Sequence, residues 1–366
     1  MKNKRKRVLV GMSGGVDSSV TAALLKKRGY EVIGITFQML PKESEKISAC
    51  CNLNSISDAK RVCSKLNVPH YVLNIRETFK EHVINNFVNE YMTGNTPNPC
   101  VECNRHIKFD VLQEKANELN ADFIATGHYC KITSNPKRTK FFLKKAKDHK
   151  KDQSYFLYMM QNNQLKKTLF PLGNYLKSEI RKMALEFNLI NAKKKESQDI
   201  CFIAHGNYKD FIEKQFEQKG IGQGTILNTD GHIIGTHDGI YNYTIGQRRG
   251  LRISNKVPLY VIKINASNNT ITVGEKDELA SSVIYVKKIT LVNNEMLNTN
   301  KYYQVKTRYQ MTPFMSKVIY QNKSKIILAS NTPQKFLTPG QSCVIYDLET
   351  IIGGGIISLK DDAITT

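Results

Sequence analysis

The residues in this sequence that are best suited to chemistry are a glycine- and serine-rich loop and a few cysteines. The loop runs from Gly11 to Ser18 and reads GMSGGVDS. It follows an apolar, β-branched run and precedes helix formers that stop at Gly29, so we predict a strand, a loop and a helix. Backbone N–H groups and the positive end of the helix dipole then converge where Gly14 and Gly15 leave room for an anion. The loop therefore predicts a phosphate-binding site.

Two other loop types fit this stretch less well. A Walker A loop has a lysine before its serine or threonine, and no lysine lies between Gly11 and Val20. The letters GxSxG also describe the nucleophile elbow of hydrolases, but that turn follows several strands, and only about ten residues precede it here. The phosphate-binding interpretation is therefore favoured.

Eight cysteines form the second group. Without an export signal they are expected to bind metal, act in catalysis or lie buried, rather than form disulfides. Cys100 and Cys103 have C-x-x-C spacing behind two prolines, which places them in a loop or at the next helix start. Three basic side chains follow, namely Arg105, His106 and Lys108. With the helix N-terminus they are expected to lower the pKa of a nearby thiol, which makes Cys103 a candidate thiolate.

The C-x-x-C spacing has other interpretations. Such a pair can be half of a zinc or iron–sulfur site, or a redox pair. The sequence contains no second C-x-x-C, and the adjacent Cys50 and Cys51 suit a tetrahedral site poorly. Cys201 ends a polar loop and enters an apolar run, where a single cysteine usually belongs to the core.

Alternating strands and helices are predicted from residue 8 to about residue 130. The strands are predicted at 8–12, 31–37, 69–74 and 122–127, and the helices at 17–28, 56–66, 79–91 and 105–118. This order predicts a parallel sheet, which binds ligands at the carboxyl ends of its strands. Gly11, Phe37 and Gly127 each lie at such an end. A further helix is predicted at 177–188.

Two β-rich parts are predicted after this α/β part. Beyond residue 215, glycines separate short β-branched runs. From about residue 280, strands are predicted at 283–292, 302–309, 315–320, 324–329 and 342–347, as in a small barrel or sandwich. We therefore divide the chain into an α/β catalytic domain over 1–215, a small central β-rich domain over 216–279 and a C-terminal β-barrel-like domain over 280–366.

Length and composition describe a globular and strongly basic protein. The 366 residues suggest two or three domains, and 40% hydrophobic with 23% charged residues is ordinary for a folded chain. A net charge of +22 favours a polyanionic partner such as nucleic acid, with a Lys-, Asn- and Ile-rich composition as the alternative explanation. No stretch approaches 18 apolar residues, and the glycine loop interrupts the basic start at once, so we expect a cytoplasmic protein with no membrane association.

The string SGGVDSS resembles the pyrophosphate (PP) loop of the N-type ATP pyrophosphatases, which adenylate a carbonyl oxygen with ATP and release pyrophosphate. Seven further motifs, in order, resemble the bacterial tRNA 2-thiouridylase family (MnmA type). They are TPNPCVECNRHIKF (96–109), ATGHY (125–129), KDQSYFL (151–157), ESQDICFI (196–203), GTHDGIYNYTIGQRRGL (235–251), TRYQ (307–310) and PGQSCVIYDLETIIGGGII (339–357). The resemblance covers nearly the whole chain and implies an adenine nucleotide alpha hydrolase-like PP-loop fold for its first part.

The resemblance implies a sulfur transfer to tRNA. The family places sulfur at C2 of the wobble uridine, position 34, in tRNAs for Lys, Glu and Gln, with ATP and Mg²⁺. A carbonyl oxygen leaves poorly until it is adenylated, and neutral sulfur arrives as a persulfide whose S–S bond a second thiol splits. By this resemblance Cys201 carries the persulfide, and Cys103 is the nucleophile that frees the sulfur and ends in a Cys103–Cys201 disulfide. The implied persulfide donor is a sulfur-carrier protein or a cysteine desulfurase, and a monomer without a resident metal is expected.

The resemblance also implies binding roles. ATP phosphates are assigned to Gly11, Met12, Ser13, Gly14, Gly15, Val16, Asp17 and Ser18, with Phe37 and Gly127 near the adenosine. The target base is assigned to Asn98, Pro99 and Cys100. Contacts with tRNA are assigned to His128, Lys151, Asp152, Gln153, Arg308, Tyr309 and Gln341. Phe37 stands where the family often has methionine.

One position departs from the family pattern. The family has an acid, as NPDxxC, where this chain has Cys100, and that acid is assigned a proton transfer on the uridine. A thiolate at Cys100 replaces it only if its pKa is lowered. The change also keeps open an RNA thiolase with an iron–sulfur cluster held by Cys100 and Cys103. Another PP-loop ATP-dependent synthetase and a non-catalytic RNA-binding protein with a structural metal are the remaining alternatives.

Overall fold

The structure, a computed structural model, describes residues 5–40, 53–196, 200–203, 207–216 and 222–360. Cys50 and Cys51 lie outside the described residues. Strands and helices alternate in the first part of the chain, as predicted. Its elements are β1 (Arg7–Gly11), α1 (Val16–Lys27), β2 (Glu31–Gln38), α2 (Leu53–Lys65), β3 (His70–Asn74), α3 (Arg76–Phe79), α4 (Asn85–Met92), α5 (Pro99–Glu102), α6 (Leu112–Glu118), β4 (Phe123–Ala125), β5 (Cys130–Ser134), β6 (Phe141–Lys145), α7 (Asn162–Lys166), β7 (Thr168–Leu169) and α8 (Lys177–Glu186).

Five of these strands form the predicted parallel sheet, in the order β3-β2-β1-β4-β7. The central strand β1 is apolar, and Val8, Leu9 and Val10 are fully buried because helices cover both faces of the sheet. The carboxyl ends of β1, β2 and β4 lie side by side, as the strand order requires. This edge of the sheet carries the phosphate loop.

Two helices contain π-helical segments. Lys80–Ile84 joins α3 to α4, and Cys103–Val111 joins α5 to α6. The helix predicted at 105–118 therefore begins earlier, at Pro99, because proline is favourable at the first helical position, where no N–H is needed. Cys100 and Cys103 consequently lie in the first turns of a helix, which confirms one of the two predicted placements.

The central part of the chain forms a small separate sheet. It follows α9 (Tyr208–Phe216) and consists of β8 (Gly224–Leu227), β9 (Ile233–His237), β10 (Tyr260–Asn265) and β11 (Thr270–Gly274). The strand order is β10-β11-β8-β9. Ile226, Val261 and Ile271 are fully buried and form the centre of its own core.

The C-terminal part is a closed antiparallel barrel. Its strands are β12 (Ser281–Leu291), β13 (Tyr302–Lys306), β14 (Phe314–Gln321), β15 (Lys325–Gln334), β16 (Ser342–Asp347) and β17 (Thr350–Ser358). They pair in the order β12-β15-β14-β13-β16-β17, and β12 pairs again with β17 to close the barrel. Closure leaves no strand edge among these six unpaired.

The barrel shares a sheet and a core with the first part of the chain. The hairpin β5–β6 extends the barrel sheet, because Leu143 in β6 pairs with Ile351 in β17. Tyr155 donates a hydrogen bond to the Ser342 carbonyl oxygen at 2.9 Å, and both Tyr155 and Tyr346 are buried in the shared core. Among the described helices, none is both long and apolar enough to cross a membrane.

Candidate functional site

The phosphate loop connects β1 to α1. Gly15 is the N-cap of α1, and no capping side chain accepts a hydrogen bond from the first N–H groups of the helix. Gly14 has φ +69°, and a Cβ there would lie 2.2 Å from the Ser55 carbonyl oxygen. Only glycine fits this position, because both the backbone conformation and the space exclude a side chain.

Several buried polar contacts hold the loop in place. The Thr36 hydroxyl donates to the Met12 carbonyl oxygen at 2.8 Å, and the Asn191 amide donates to the Gly14 carbonyl oxygen at 3.0 Å. The Ser18 hydroxyl accepts the Ser13 N–H at 3.2 Å. The protein's own groups therefore hold the loop, which reduces the cost of ordering it on binding.

Asp17 lies in an ion-pair network at the start of α1. Its carboxylate accepts hydrogen bonds from Lys177 at 2.7 Å and from the Tyr129 hydroxyl at 2.8 Å. Lys177 also lies 2.9 Å from Glu196, which in turn accepts a hydrogen bond from Lys151 at 2.7 Å. Partial burial opposes ionisation of Glu196, but the hydrogen bonds from the two lysines prevail and lower its pKa to about 2.

A pocket opens directly above the loop at the carboxyl edge of the sheet. Its wall includes the predicted residues Gly11, Met12, Ser13, Asp17, Ser18, Phe37 and Gly127. A Cβ on Gly127 would lie 2.9 Å from the Ser18 nitrogen, so the strand β4 exit approaches α1 as closely as only glycine allows. Apolar walls, uncapped N–H groups of α1 and a glycine-lined entrance are the features expected of a site that binds a nucleotide with its phosphates at the loop. We call this cavity the nucleotide pocket.

The three cysteines singled out in the sequence lie near one another. Cys103 and Cys201 belong to one apolar cluster, and the charges of Cys100 and Cys201 both act on the Cys103 thiol. Cys201 is held there by its neighbour Phe202, whose buried ring packs edge-on against Phe79 and Phe87 with centroids 5.8 and 5.4 Å apart. The isolated cysteine at 201 is thus partly buried and beside the C-x-x-C pair, rather than enclosed in a separate core.

Burial dominates the chemistry of Cys103. Burial raises the pKa of its thiol to about 12, although Lys108 acts in the opposite direction. The expected lowering of the Cys103 pKa is therefore wrong for this conformation, because desolvation outweighs the single nearby cation. The His106 ring stacks on His82, with the ring centroids 4.7 Å apart.

Cys100 reaches the surface, unlike Cys103. Protein atoms around its thiol nevertheless raise the pKa of Cys100, and Lys108 partly offsets this effect. A lowered pKa, the condition for Cys100 to replace the family's acid, is therefore not met in this conformation. Asn98 is the N-cap of α5 and Pro99 its first residue, so both lie beside this thiol in the chain.

Two residues assigned to tRNA are buried instead of exposed. His128 lines the nucleotide pocket, its Nδ1 lies 2.7 Å from the Thr126 hydroxyl, and burial lowers its pKa well below the ordinary value. Asp152 accepts hydrogen bonds from the Ala146 N–H at 2.9 Å and the Ser154 hydroxyl at 2.7 Å. Both side chains stabilise the protein itself in this conformation.

The structure also describes the remaining residues assigned to tRNA. Gln153 lines the pocket, and Lys151 pairs with Glu196. Tyr309 packs on Phe156 with ring centroids 4.5 Å apart, and Arg308 is exposed.

Gln341 braces the loop before the C-x-x-C pair. Its side-chain amide donates to the carbonyl oxygens of Thr96 and Pro97 at 3.0 and 3.4 Å. The barrel therefore positions the loop that leads to Asn98, a role that the sequence analysis did not assign to this residue.

Several residues of the site were not assigned to it from the sequence. Lys177 and Asn191 reach the phosphate loop from α8 and from the segment that follows it. Lys108 was considered only for its effect on thiols, yet it lines the nucleotide pocket and acts on His128 as well as on the cysteines. In the described ranges, no three His, Cys, Asp or Glu side chains are grouped to hold a metal ion.

Comparisons with known protein families match almost the whole chain. Residues 6–205 match the tRNA methyl transferase HUP domain, residues 209–275 the tRNA methyl transferase PRC-barrel domain, and residues 281–357 the Aminomethyltransferase beta-barrel domain. These matches agree with the parallel-sheet part, the central part and the closed barrel described above.

Curated relatives are similar over the same length. The tRNA-specific 2-thiouridylase MnmA of Halothermothrix orenii is 46% identical over 355 residues, which cover 96% of this chain and 98% of the relative. That of Clostridioides difficile is 42% identical, again over 96% of this chain and 98% of the relative. MnmA 1 of Caldanaerobacter subterraneus is 44% identical over 97% of this chain and 98% of the relative. The chain therefore belongs to the family of the tRNA-specific 2-thiouridylases.

Proposed function

We propose that this protein converts the wobble uridine of tRNAs for Lys, Glu and Gln to 2-thiouridine. ATP adenylates the C2 oxygen of uridine 34, and sulfur from a cysteine persulfide replaces it, with release of pyrophosphate and AMP. A sulfur-carrier protein or a cysteine desulfurase supplies the persulfide. The observation that carries the proposal is that Cys103 and Cys201, about a hundred residues apart in sequence, lie close together near Lys108, a side chain that also lines the nucleotide pocket.

The proposed sulfur transfer balances with two cysteines. The terminal sulfur of the Cys201 persulfide attacks C2 of the adenylated uridine, and AMP leaves with the former C2 oxygen. The Cys103 thiolate then attacks the Cys201 sulfur, which breaks the S–S bond and leaves the transferred sulfur on the base. A Cys103–Cys201 disulfide forms, and the base gains a thiocarbonyl.

The nucleotide pocket fits ATP and offers one acid for a metal. Asp17 is the carboxylate in its wall, and Mg²⁺ commonly binds through one or two carboxylates together with substrate phosphates. We therefore propose that Asp17, while paired with Lys177, would use the remaining lone pairs of its carboxylate to hold Mg²⁺, which would neutralise phosphate charge. The free N–H groups of α1 would bind and orient the phosphates.

Mass spectrometry of tRNA nucleosides tests the proposal. The protein is incubated with tRNA, ATP and a persulfide source, and 2-thiouridine is expected at position 34. Cys201→Ser should abolish thiolation and retain tRNA-dependent release of pyrophosphate. Cys343→Ala, in the barrel core, is the control and should retain both. Normal thiolation by Cys201→Ser would overturn the persulfide assignment.

The same assays separate the alternatives. A synthetase would consume ATP with a small nucleotide or amino acid and would tolerate loss of both cysteines. A non-catalytic RNA-binding protein would hold stoichiometric zinc without exchanging pyrophosphate into ATP. Iron and sulfide in the pure protein would instead support the cluster-dependent thiolase.

Binding of tRNA should depend steeply on salt. The net charge of +22 provides cations for phosphate contacts. If two or more phosphates are neutralised, affinity falls about tenfold or more between 50 and 200 mM salt. A flat salt titration would mean that the basic composition has no role in binding.

A further inference from the structure

We propose that Cys100 resolves the disulfide left between Cys103 and Cys201 after sulfur transfer, and converts it to a surface-exposed Cys100–Cys103 disulfide that a dithiol protein reduces. This inference rests on the proposed function, because that reaction produces the disulfide to be resolved. It assigns a redox activity to the position where this chain departs from the family's acid.

The three cysteines differ in exposure, and the difference favours moving the disulfide from Cys103–Cys201 to Cys100–Cys103. We call this exchange the relay. Cys103 is 7% exposed and Cys201 is partly buried, so a disulfide between them offers a reducing protein little access. Cys100 is exposed, although protein atoms around its thiol raise the pKa of the sulfur. A reductant therefore meets residue 100 at the surface, whereas Cys103 is buried and Cys201 is partly buried.

The helix brings Cys100 and Cys103 to the same side. Cys100 is the second residue of α5, and Cys103 begins the π-helical segment three residues later. Residues three apart on a helix have Cβ atoms about 5–6 Å apart. A disulfide needs about 3.5–4.5 Å between Cβ atoms, so a small adjustment of the first helical turn suffices.

The three sulfurs interact electrostatically with one another. The Cys103 thiol is influenced by both Cys100 and Cys201, and Cys100 is influenced by Cys201. Lys108 favours the thiolate forms of Cys100 and Cys103. Cys103 is thus the sulfur that lies near both potential partners, the exposed Cys100 and the partly buried Cys201.

The other described cysteines do not compete for this role. Cys63 belongs to the core beside β1, Cys130 to the core shared with the barrel, and Cys343 to the barrel itself. All three are fully buried. They provide internal controls, because their thiols should resist alkylation in the folded protein.

The exchange is balanced in atoms and electrons. The Cys100 thiol gives up its proton and attacks the Cys103 sulfur of the Cys103–Cys201 disulfide, and the S–S bond breaks. Cys201 leaves as a thiolate and takes up a proton, ready to accept another sulfur. The dithiol reductant then supplies two electrons and two protons to the Cys100–Cys103 disulfide and itself becomes a disulfide.

The first experiment oxidises the full-length protein with a stoichiometric amount of diamide and without tRNA. Disulfides are mapped by differential alkylation and mass spectrometry. The wild type should contain about tenfold more Cys100–Cys103 than Cys103–Cys201 disulfide. Cys100→Ser should instead accumulate the Cys103–Cys201 disulfide. A wild type that retains Cys103–Cys201 and leaves Cys100 open to alkylation would overturn the proposal.

The second experiment follows one turnover of the persulfide-loaded enzyme with tRNA and ATP, without reductant. The wild type should end with the Cys100–Cys103 disulfide and a free Cys201. If no 2-thiouridine forms, the proposed function fails, and the diamide experiment still decides whether the relay exists. If 2-thiouridine forms and Cys100 stays reduced, the relay alone fails.

The third experiment measures reduction of the oxidised enzyme by a thioredoxin-type dithiol protein. Cys100→Ser should be reduced about tenfold more slowly than the wild type, because the protein reductant must attack the less accessible disulfide. Reduction by dithiothreitol, a small molecule, should differ less between the two. Equal rates with the protein reductant would contradict the role of Cys100.

Discussion

Lys177 donates hydrogen bonds to both carboxylate oxygens of Asp17, each over 2.7 Å. The same ammonium lies 2.9 Å from Glu196, upstream of Cys201 in the chain. One lysine therefore connects the start of α1, where the phosphates are proposed to bind, with the segment that leads to the proposed persulfide cysteine. The ammonium is largely shielded from solvent, since the side chain is only 12% exposed.

Removing this lysine should weaken the ATP-dependent step. Lys177→Met keeps most of the alkyl chain but leaves Asp17 with Tyr129 as its neutral partner. We expect tRNA-dependent release of pyrophosphate to fall about tenfold or more, which corresponds to about 1.4 kcal/mol of transition-state stabilisation. The matched control is Lys147→Met, which removes an exposed ion pair with Glu179 at 3.2 Å and should change the rate little. Equal effects of the two variants would contradict a special role for Lys177.

Adding one methyl group to Gly14 should abolish the phosphate site. At Gly14→Ala the new Cβ would lie 2.2 Å from a backbone oxygen, at φ +69°. Gly29→Ala is the matched control, because Gly29 has φ +86° but no atom within 4 Å of an added Cβ. The control should lose about 1–2 kcal/mol of stability through backbone strain alone and should still bind ATP. Calorimetric titration with ATP and chemical denaturation measure both effects, and ATP binding by Gly14→Ala would contradict the proposed cradle.

Alkylation of Cys103 should increase with pH. Because burial raises its pKa to about 12, the thiol is protonated near neutrality, and the thiolate fraction grows about tenfold per pH unit. Lys108→Met should slow alkylation at each pH, since loss of the positive charge raises the pKa further. Arg105→Met is the control, because Lys108 is the cation that lowers the Cys103 pKa. Iodoacetamide labelling of Cys103, followed by mass spectrometry from about pH 7 to about pH 10, provides the rates. A rate that does not change with pH would mean that the thiol is already ionised.

The ion pairs of Glu196 should stabilise the protein only above acidic pH. The pKa of Glu196 falls from 4.5 to about 2 on folding, so its contribution is fully present above about pH 4.5 and is lost as the pH falls towards 2. Glu196→Gln should therefore lower the free energy of unfolding by a constant amount between about pH 5 and about pH 7, and by less below pH 4. Urea denaturation at several pH values measures this difference. Glu349→Gln, at an exposed carboxylate 3.6 Å from Lys145, is the control and should show a smaller loss at neutral pH. If the difference in unfolding free energy between the wild type and Glu196→Gln grew as the pH fell, the prediction would be contradicted.

Local patterns in the sequence were sufficient for the alternating elements from β1 to β4, but they did not predict the hairpin β5–β6 or the strand β7. The apolar run at β1 and the glycine-rich turn before α1 predict strand, loop and helix, because these signals act over a few residues. The parallel order then predicts that Gly11, Phe37 and Gly127 meet at one edge of the sheet, and all three line the same pocket. The glycine at C′ of α1 was also predicted, and Gly29 has the expected positive φ.

Other features depended on contacts between distant parts of the chain. His128 and Asp152 have polar side chains that are common at a surface, yet both are buried. Each has a hydrogen-bond partner inside the protein, Thr126 for His128 and Ser154 for Asp152. The basic residues after Cys103 suggested a thiol with a lowered pKa. In the fold, the packing of this helix buries the Cys103 sulfur, and the His106 ring stacks on His82. Burial depends on the whole fold, so short-range charge patterns could not predict the sign of this pKa shift.

The sequence by itself determined the alternation of strands and helices from β1 to β4, the glycine-rich loop after β1 and the cysteines available for sulfur chemistry, since each depends on local residue types and spacing. Only the tertiary structure decided that Lys177 pairs with Asp17, that Gln341 holds the carbonyl oxygens of Thr96 and Pro97, and that β6 joins the barrel through β17. These relationships bring together residues far apart in the chain, and their geometry follows from packing of the complete core rather than from any one segment.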